Sequence, residues 1–423
     1  MKIRTAIRDC TTLLFLFGPL LGFAPAARAQ KLDLDRLVVV GDSLAAGVEN
    51  DSLEVSQQIH SFPSVIAAQA GTFLTLPWVP YPGAPNTLEL VSPAFPPQIQ
   101  SVPGTLIFPR LDPLIIPTDL AVPLQTTSDA LNRVPDSNIN TTDETQAATD
   151  LVLGFPCPVL FPCTGKSQAE WAVALSPTTL IVEIGSNDIL GALTSGEAAT
   201  LLGDPAAFIS TFAGNYTALL TTLSQTKATM IVTTIPDVTR AAYFIPISEI
   251  AQATSLSTLA VATVLGTGTS DLVTLNALPT VEAILSGAIS GPLPATCGGS
   301  VPCVVTAAEA AGIRGIIEEM NLAIAADATH FGATVVDLFS LFDSLYTNGY
   351  KIGSETLTTG FLGGLFSLDG LHPTNTGYAI MANLYITTMN AAFHTHIAPA
   401  SVPQVAACDP LVLTHVGPCF PIF

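Results

Sequence analysis

The chain has 423 residues, 49% hydrophobic and only 11% charged, with 33 prolines and 31 glycines, a composition that excludes extended disorder and coiled coil. Thirteen Lys plus Arg stand against 33 Asp plus Glu, and the net charge of −20 would repel phosphate backbones, which excludes nucleic acid as a partner. Length allows more than one domain, but a catalytic domain with long insertions also reaches this size as one unit.

The first residues read as an address. Lys2, Arg4 and Arg8 precede an apolar run from Thr11 to Phe23, and Ala27-Arg28-Ala29 has the small-x-small form of a cleavage site. A run of about 13 residues falls short of the ~20 that span a bilayer. Residues 1–29 are therefore predicted to be a cleaved signal, with a mature start at Gln30, export to the periplasm or the medium, and no membrane span.

Next comes Leu37-Val38-Val39-Val40, an all-apolar run ending at Gly41, the pattern of a strand buried on both faces of a parallel sheet. Phe62 to Ala70 has helical spacing. Residues 71–118, with Trp78-Val79-Pro80-Tyr81-Pro82-Gly83 and Pro96-Pro97, are too rich in proline for a regular helix or a central strand. A second strand run, Leu180 to Ile184, ends at Gly185, and Pro205 to Thr226 is again helical. Met230 to Ile235 is a third strand, ending at Pro236. Residues 241–306 are apolar and low in charge. A helix from about Ala307 to His330, a strand from Ala333 to Leu338 and a last helix from Asn375 to Phe393 follow.

Strand alternating with helix implies a parallel α/β sheet, and right-handed crossovers make a three-layer α/β/α open sheet the expected fold. The domain is predicted to span 30–396, with 397–423 as a tail. The insertions, about 71–118 and 241–306, are expected either to wall a substrate cleft or to cover the scaffold.

With Cys10 lost in the signal, six cysteines remain as near neighbours: Cys157 with Cys163, Cys297 with Cys303, and Cys408 with Cys419. In an exported chain an even count favours disulfides, and the short spacings suggest local pairing among the connectivities that are possible. No C-x-x-C or H-x-x-x-H spacing accompanies them, so no metal is expected. His394 and His396 have no acid or cysteine spaced to complete a metal site. Asn140-Thr141-Thr142 and Asn215-Tyr216-Thr217 are sequons, meaningful only where a glycosylation system exists.

Three blocks carry chemistry. Gly41-Asp42-Ser43-Leu44 puts a serine at the carboxyl end of the first strand, where open α/β sheets place their ligand crevice. Gly185-Ser186-Asn187-Asp188 presents an amide at the same edge, able to donate to a developing oxyanion. Asp369-Gly370-Leu371-His372 sets a carboxylate three residues from an imidazole, which it can hold by Nδ1 while Nε2 faces a serine. Taken singly, each has a plainer use: helix cap, capping turn, Asp-Gly turn.

As a set, the three blocks resemble the GDSL family within the SGNH hydrolase superfamily, over about residues 34–393. The resemblance implies a flavodoxin-like sheet and a serine esterase or lipase without a cofactor. Ser43 would be the nucleophile, His372 the general base, Asp369 its orienter, and Asn187 an oxyanion-hole donor beside the backbone N–H of Ser43. The family's further donor is the N–H of a glycine. Its best positional match is Leu124, after the strand-like run Asp119-Leu120-Ala121-Val122, with Gly83 as the rival. Leu124 would keep the donor provided the turn does not require positive φ. The α/β-hydrolase alternative fits less well, because Ala45 fills the second glycine slot of a G-x-S-x-G elbow and Asp369 and His372 share one turn.

The expected function is hydrolysis of small-molecule or lipid esters through an acyl-enzyme on Ser43. Two other readings use the same scaffold: polysaccharide deacetylation or thioester cleavage on the same residues, and a non-catalytic secreted protein that binds a lipid or polymer.

Overall fold

The computed structural model describes residues 32–105, 110–136, 142–154, 165–414, 416, 417 and 419. The predicted signal with Cys10, the Cys157 and Cys163 pair, and Asn140 of the first sequon lie outside them.

Four parallel strands form the central sheet: β1 (Leu37–Gly41), β2 (Thr179–Glu183), β3 (Thr229–Thr233) and β4 (Thr334–Val336), adjacent in that order. Every residue of the first three is buried, which is why their central residues read as apolar runs instead of alternating. Residues 119–122 add an edge beside β1: Val39 N–H donates to Thr118, and the N–H groups of Leu120 and Val122 donate to Val39 and Gly41. Counting that segment as second along the chain, the spatial order is 2-1-3-4-5, the flavodoxin-like order, whose ligand crevice opens between strands one and three. Those are β1 and β2, which carry Ser43 and Asn187 at their carboxyl ends.

The helices that position the site are α1 (Ser43–Ala46), α2 (Phe62–Ala70), α3 (Gln168–Leu175), α4 (Ser186–Ser195), α5 (Pro205–Leu223), α6 (Ala307–Phe331), α7 (Leu338–Asn348) and α8 (Asn375–Phe393). In one layer α2 packs on α8, with Phe62 stacked on Tyr385 at 4.5 Å between ring centroids. In the other, α5 packs against α3 and α6. Capping explains where α6 begins and ends. Thr306 accepts from Glu309 N–H while Glu309 accepts from Thr306 N–H, and Gly332 closes the helix in a left-handed turn.

The insertions contain regular structure. Within 71–118, Leu88–Ser92 and Gln98–Ser101 form an antiparallel hairpin. Residues 241–306 form three helices and a three-stranded antiparallel sheet closed on a core of their own, around Ile250, Val261, Leu265 and Val281. Their low charge therefore reflects a second small core. Cys297 is bonded to Cys303 and Cys408 to Cys419, so two of the expected local pairings are present. The tail packs back onto the domain: Asp409 accepts from Thr376 N–H and Oγ1, at 2.8 and 2.7 Å, at the start of α8. No helix among the described residues is long and apolar enough to cross a membrane.

Candidate active site

Ser43 is the first residue of α1, and the cap is Asp42, whose carboxylate accepts from Leu44 N–H at 3.1 Å. The capping role open to the serine thus falls to its neighbour. The Ser43 N–H starts the helix, where no intrahelical acceptor exists, and is available to a ligand. Gly41 makes the turn possible: a Cβ there would stand 2.6 Å from both Ala45 Cβ and the Glu183 carbonyl oxygen.

Asn187 lies in the first turn of α4, whose cap is Gly185, so it is not a cap either. Its Nδ2 donates to the Gln125 carbonyl at 3.2 Å, leaving the second amide hydrogen for another acceptor. That bond joins Asn187 to the turn containing Leu124. Leu124 has φ 68, so the turn does require the left-handed backbone that favours glycine, contrary to the condition set for it; the leucine adopts that backbone, which keeps the turn. The N–H remains. The rival Gly83 has its own N–H committed to the Pro80 carbonyl at 3.0 Å.

Two buried glutamines fix this edge, and no motif pointed to them. Gln168 on α3 accepts from Gly41 N–H and donates to the Gly41 carbonyl, both at 2.9 Å, and its amide also reaches Gln125 Oε1 at 2.6 Å. The end of β1 is thereby bolted to the Leu124 turn.

Asp369 and His372 meet as expected, with Nδ1 donating to Asp369 Oδ2 at 3.1 Å. Burial would raise the Asp369 pKa, but the charge and hydrogen bonds of His372 and the Asp51 amide outweigh it and hold the carboxyl at about 2. For His372, burial favours the neutral ring. The charge and hydrogen bond of Asp369, with Asp51 and Asp42 beyond, more than offset that and raise its pKa above the ordinary 6.5.

Ser43, Asn187 and His372 line a single open cleft of about 480 Å³, solvent at its mouth included. The rest of its wall is mostly apolar: Leu44, Leu190, Val238, Phe342, Phe366 and Leu371. Phe342, on α7, meets Phe366 edge to face at 6.0 Å. Ala241, the first residue of the second insertion, also lines it. The additional acid at the wall, Asp237, is held by Arg314 at 2.8 Å and Arg240 at 3.3 Å. Among the described residues no group of three His, Cys, Asp or Glu side chains is placed to hold a metal.

A serine, an amide and a carboxylate-held imidazole at the switch point of a three-layer α/β/α sheet define a class, the serine hydrolases that act on esters. The chain belongs to the GDSL-like lipase/acylhydrolase family, whose model matches residues 119–385. Asn187, Asp369 and His372 fall inside the matched residues, and Ser43 precedes them. Among solved structures, phospholipase A1 from Streptomyces albidoflavus NA297 is similar at 13% identity, covering 85% of this chain and 100% of that one, with a TM-score of 0.36. No curated protein matches the chain.

Proposed function

We propose that the protein is a secreted esterase or lipase that cleaves carboxylic esters of apolar acyl groups through an acyl-enzyme on Ser43. The observation that carries this reading is the convergence of Ser43, Asn187 and His372 on one cleft, with Asp369 bonded to His372 Nδ1.

In this reading Ser43 Oγ attacks the ester carbonyl carbon and its proton passes to His372 Nε2, the nitrogen left free by Asp369. The carbonyl π pair moves onto oxygen, stabilised by Asn187 Nδ2–H and the N–H groups of Ser43 and Leu124. Collapse expels the alcohol, which takes the proton from His372. Water, deprotonated by the same imidazole, then releases the acid and restores Ser43. Asp369 stays ionised throughout and orients the ring. The apolar wall favours an acyl chain over a sugar, because burying hydroxyls there without partners is costly.

Export rests on the leader pattern of residues 1–29, and the bonded cysteines suit an oxidising compartment. Residues 30–396 would then be one catalytic domain, closed by the 397–423 tail.

The test is turnover of p-nitrophenyl esters of increasing chain length by the mature protein. Rising kcat/KM from acetate to medium-chain esters supports the reading. A preference for acetylated polysaccharide, or tight binding of an ester panel without turnover, contradicts it.

A further inference from the structure

We propose that the two-residue turn Asn50-Asp51, together with Ser367, is a clasp that holds Asp369 against His372, making these three positioning residues of the catalytic site. The proposal rests on the assignment of Ser43, His372 and Asp369 given above.

Glu49 and Ser52 exchange backbone hydrogen bonds of 3.2 and 3.1 Å, so Asn50 and Asp51 are the centre of a tight turn. Both have positive φ, 54° and 58°. Such a turn often takes glycine in one of these positions, and Asn and Asp are the side chains that best tolerate the left-handed backbone. The two amides of the turn have separate acceptors, both in the 367–369 segment.

One amide holds Asp369 directly and the other holds it through Ser367. Asp51 N–H donates to its Oδ2 at 2.6 Å. Asn50 N–H donates to Ser367 Oγ at 3.0 Å, and that hydroxyl donates to the same Oδ2 at 2.9 Å. Asn50 Oδ1 accepts from Leu368 N–H at 3.1 Å, tying the turn to the loop itself. The loop's own amides, Leu371 and His372, reach only Oδ1, at 2.7 and 2.8 Å. Without the clasp, Oδ2 would keep only His372 Nδ1, and the carboxylate could rotate away from the ring.

The turn also follows closely on α1. Gly47 ends that helix, and the next carbonyl, Val48, accepts from Tyr378 Oη of α8 at 2.6 Å. One short segment therefore fixes the serine at one end and the acid–base pair at the other, across 318 residues of chain.

Kinetics on Ser367→Ala, Asn50→Ala and Asn50→Gly, each alone and in an Asp369→Asn background, test the clasp. Ser367→Ala should lower kcat by about tenfold or more with KM little changed. In the Asp369→Asn background it should add no further loss, because the clasp acts only through that carboxylate. Asn50→Ala should lose more than Asn50→Gly, which keeps the left-handed turn and both amides. Full kcat in Ser367→Ala, or the same loss with and without Asp369, overturns the proposal. If Ser367→Ala does not fold, equal kcat in the two Asn50 variants overturns it. Ser43→Ala keeps the two claims apart: persisting turnover there defeats the nucleophile assignment, whereas a dead Ser43→Ala beside an unaffected Ser367→Ala defeats the clasp alone.

Discussion

Asp42 and Glu183 meet where β1 and β2 end: Asp42 N–H donates to the Glu183 carbonyl at 3.1 Å, and both side-chain carboxyls are buried beside Ser43. Neither Asp42 Oδ2 nor Glu183 Oε2 has a hydrogen-bond partner among the described residues. Burial is the largest cause that raises the pKa of each, so both favour the neutral carboxyl well above the ordinary range.

Buried carboxyls set how stability depends on pH. Burial raises the pKa of Asp42 and Glu183, and likewise Glu49 and Asp119, the last to about 8. Between the ordinary carboxyl range and these values the folded chain holds protons that the unfolded chain releases, so stability falls as pH rises. His372, also raised, acts in the same direction. Asp369, lowered, adds stability above 3.8 that is lost only as pH falls toward about 2, outside this window. Thermal unfolding should give a higher Tm at about pH 5.5 than at about pH 8.5, and Glu183→Gln should flatten that slope. A Tm that rises steadily across this interval would count against protonated carboxyls in the core.

Activity should have the opposite dependence. In the proposed mechanism His372 works as base only when its imidazole is neutral, and its raised pKa would move the acid limb of kcat/KM above the ordinary 6.5. Asp369→Asn removes the charge that raises it, so the limb should move down while kcat drops by about 10⁴. A limb at or below the ordinary imidazole value in the unmodified enzyme contradicts this electrostatic picture.

In the proposed mechanism Asn187 donates to the oxyanion. Asn187→Ala should lower kcat by about 10²–10³ and leave KM nearly unchanged, since the bond strengthens only in the transition state. An effect mainly on KM would instead mark a substrate-binding amide.

At Leu124 the side chain is 44% exposed and the backbone is left-handed. Leu124→Gly should keep activity, because the N–H stays, and stabilise the fold by up to ~1 kcal/mol, the relieved strain being partly offset by glycine's greater freedom when unfolded. Denaturant unfolding beside steady-state kinetics reads both, and a large loss of kcat would show that the leucine side chain itself takes part.

What was legible in the sequence divides along physical lines. Strands β1 to β3 and the helices α2, α5, α6 and α8 could be read because strands buried on both faces are continuous apolar runs and helices repeat at their own period. The Asp369–His372 pair could be read because both partners sit in one turn. The Asn50–Asp51 clasp could not, since its partners lie 318 residues away and nothing local marks a turn that works through its amides. Gln168 was hidden for the same reason, contacting Gly41 across 127 residues. In 241–306 the low charge was visible, but not that the segment closes on its own core. The left-handed Leu124 was invisible because leucine rarely adopts that conformation.

The central claim is that Ser43 is the nucleophile activated by His372. Labelling the mature protein with a fluorophosphonate and mapping the adduct by peptide mass spectrometry tests it directly. One adduct on Ser43, absent in Ser43→Ala and strongly slowed in His372→Ala, is the expected result. An adduct on another residue, or unimpaired ester turnover by Ser43→Ala, would contradict it.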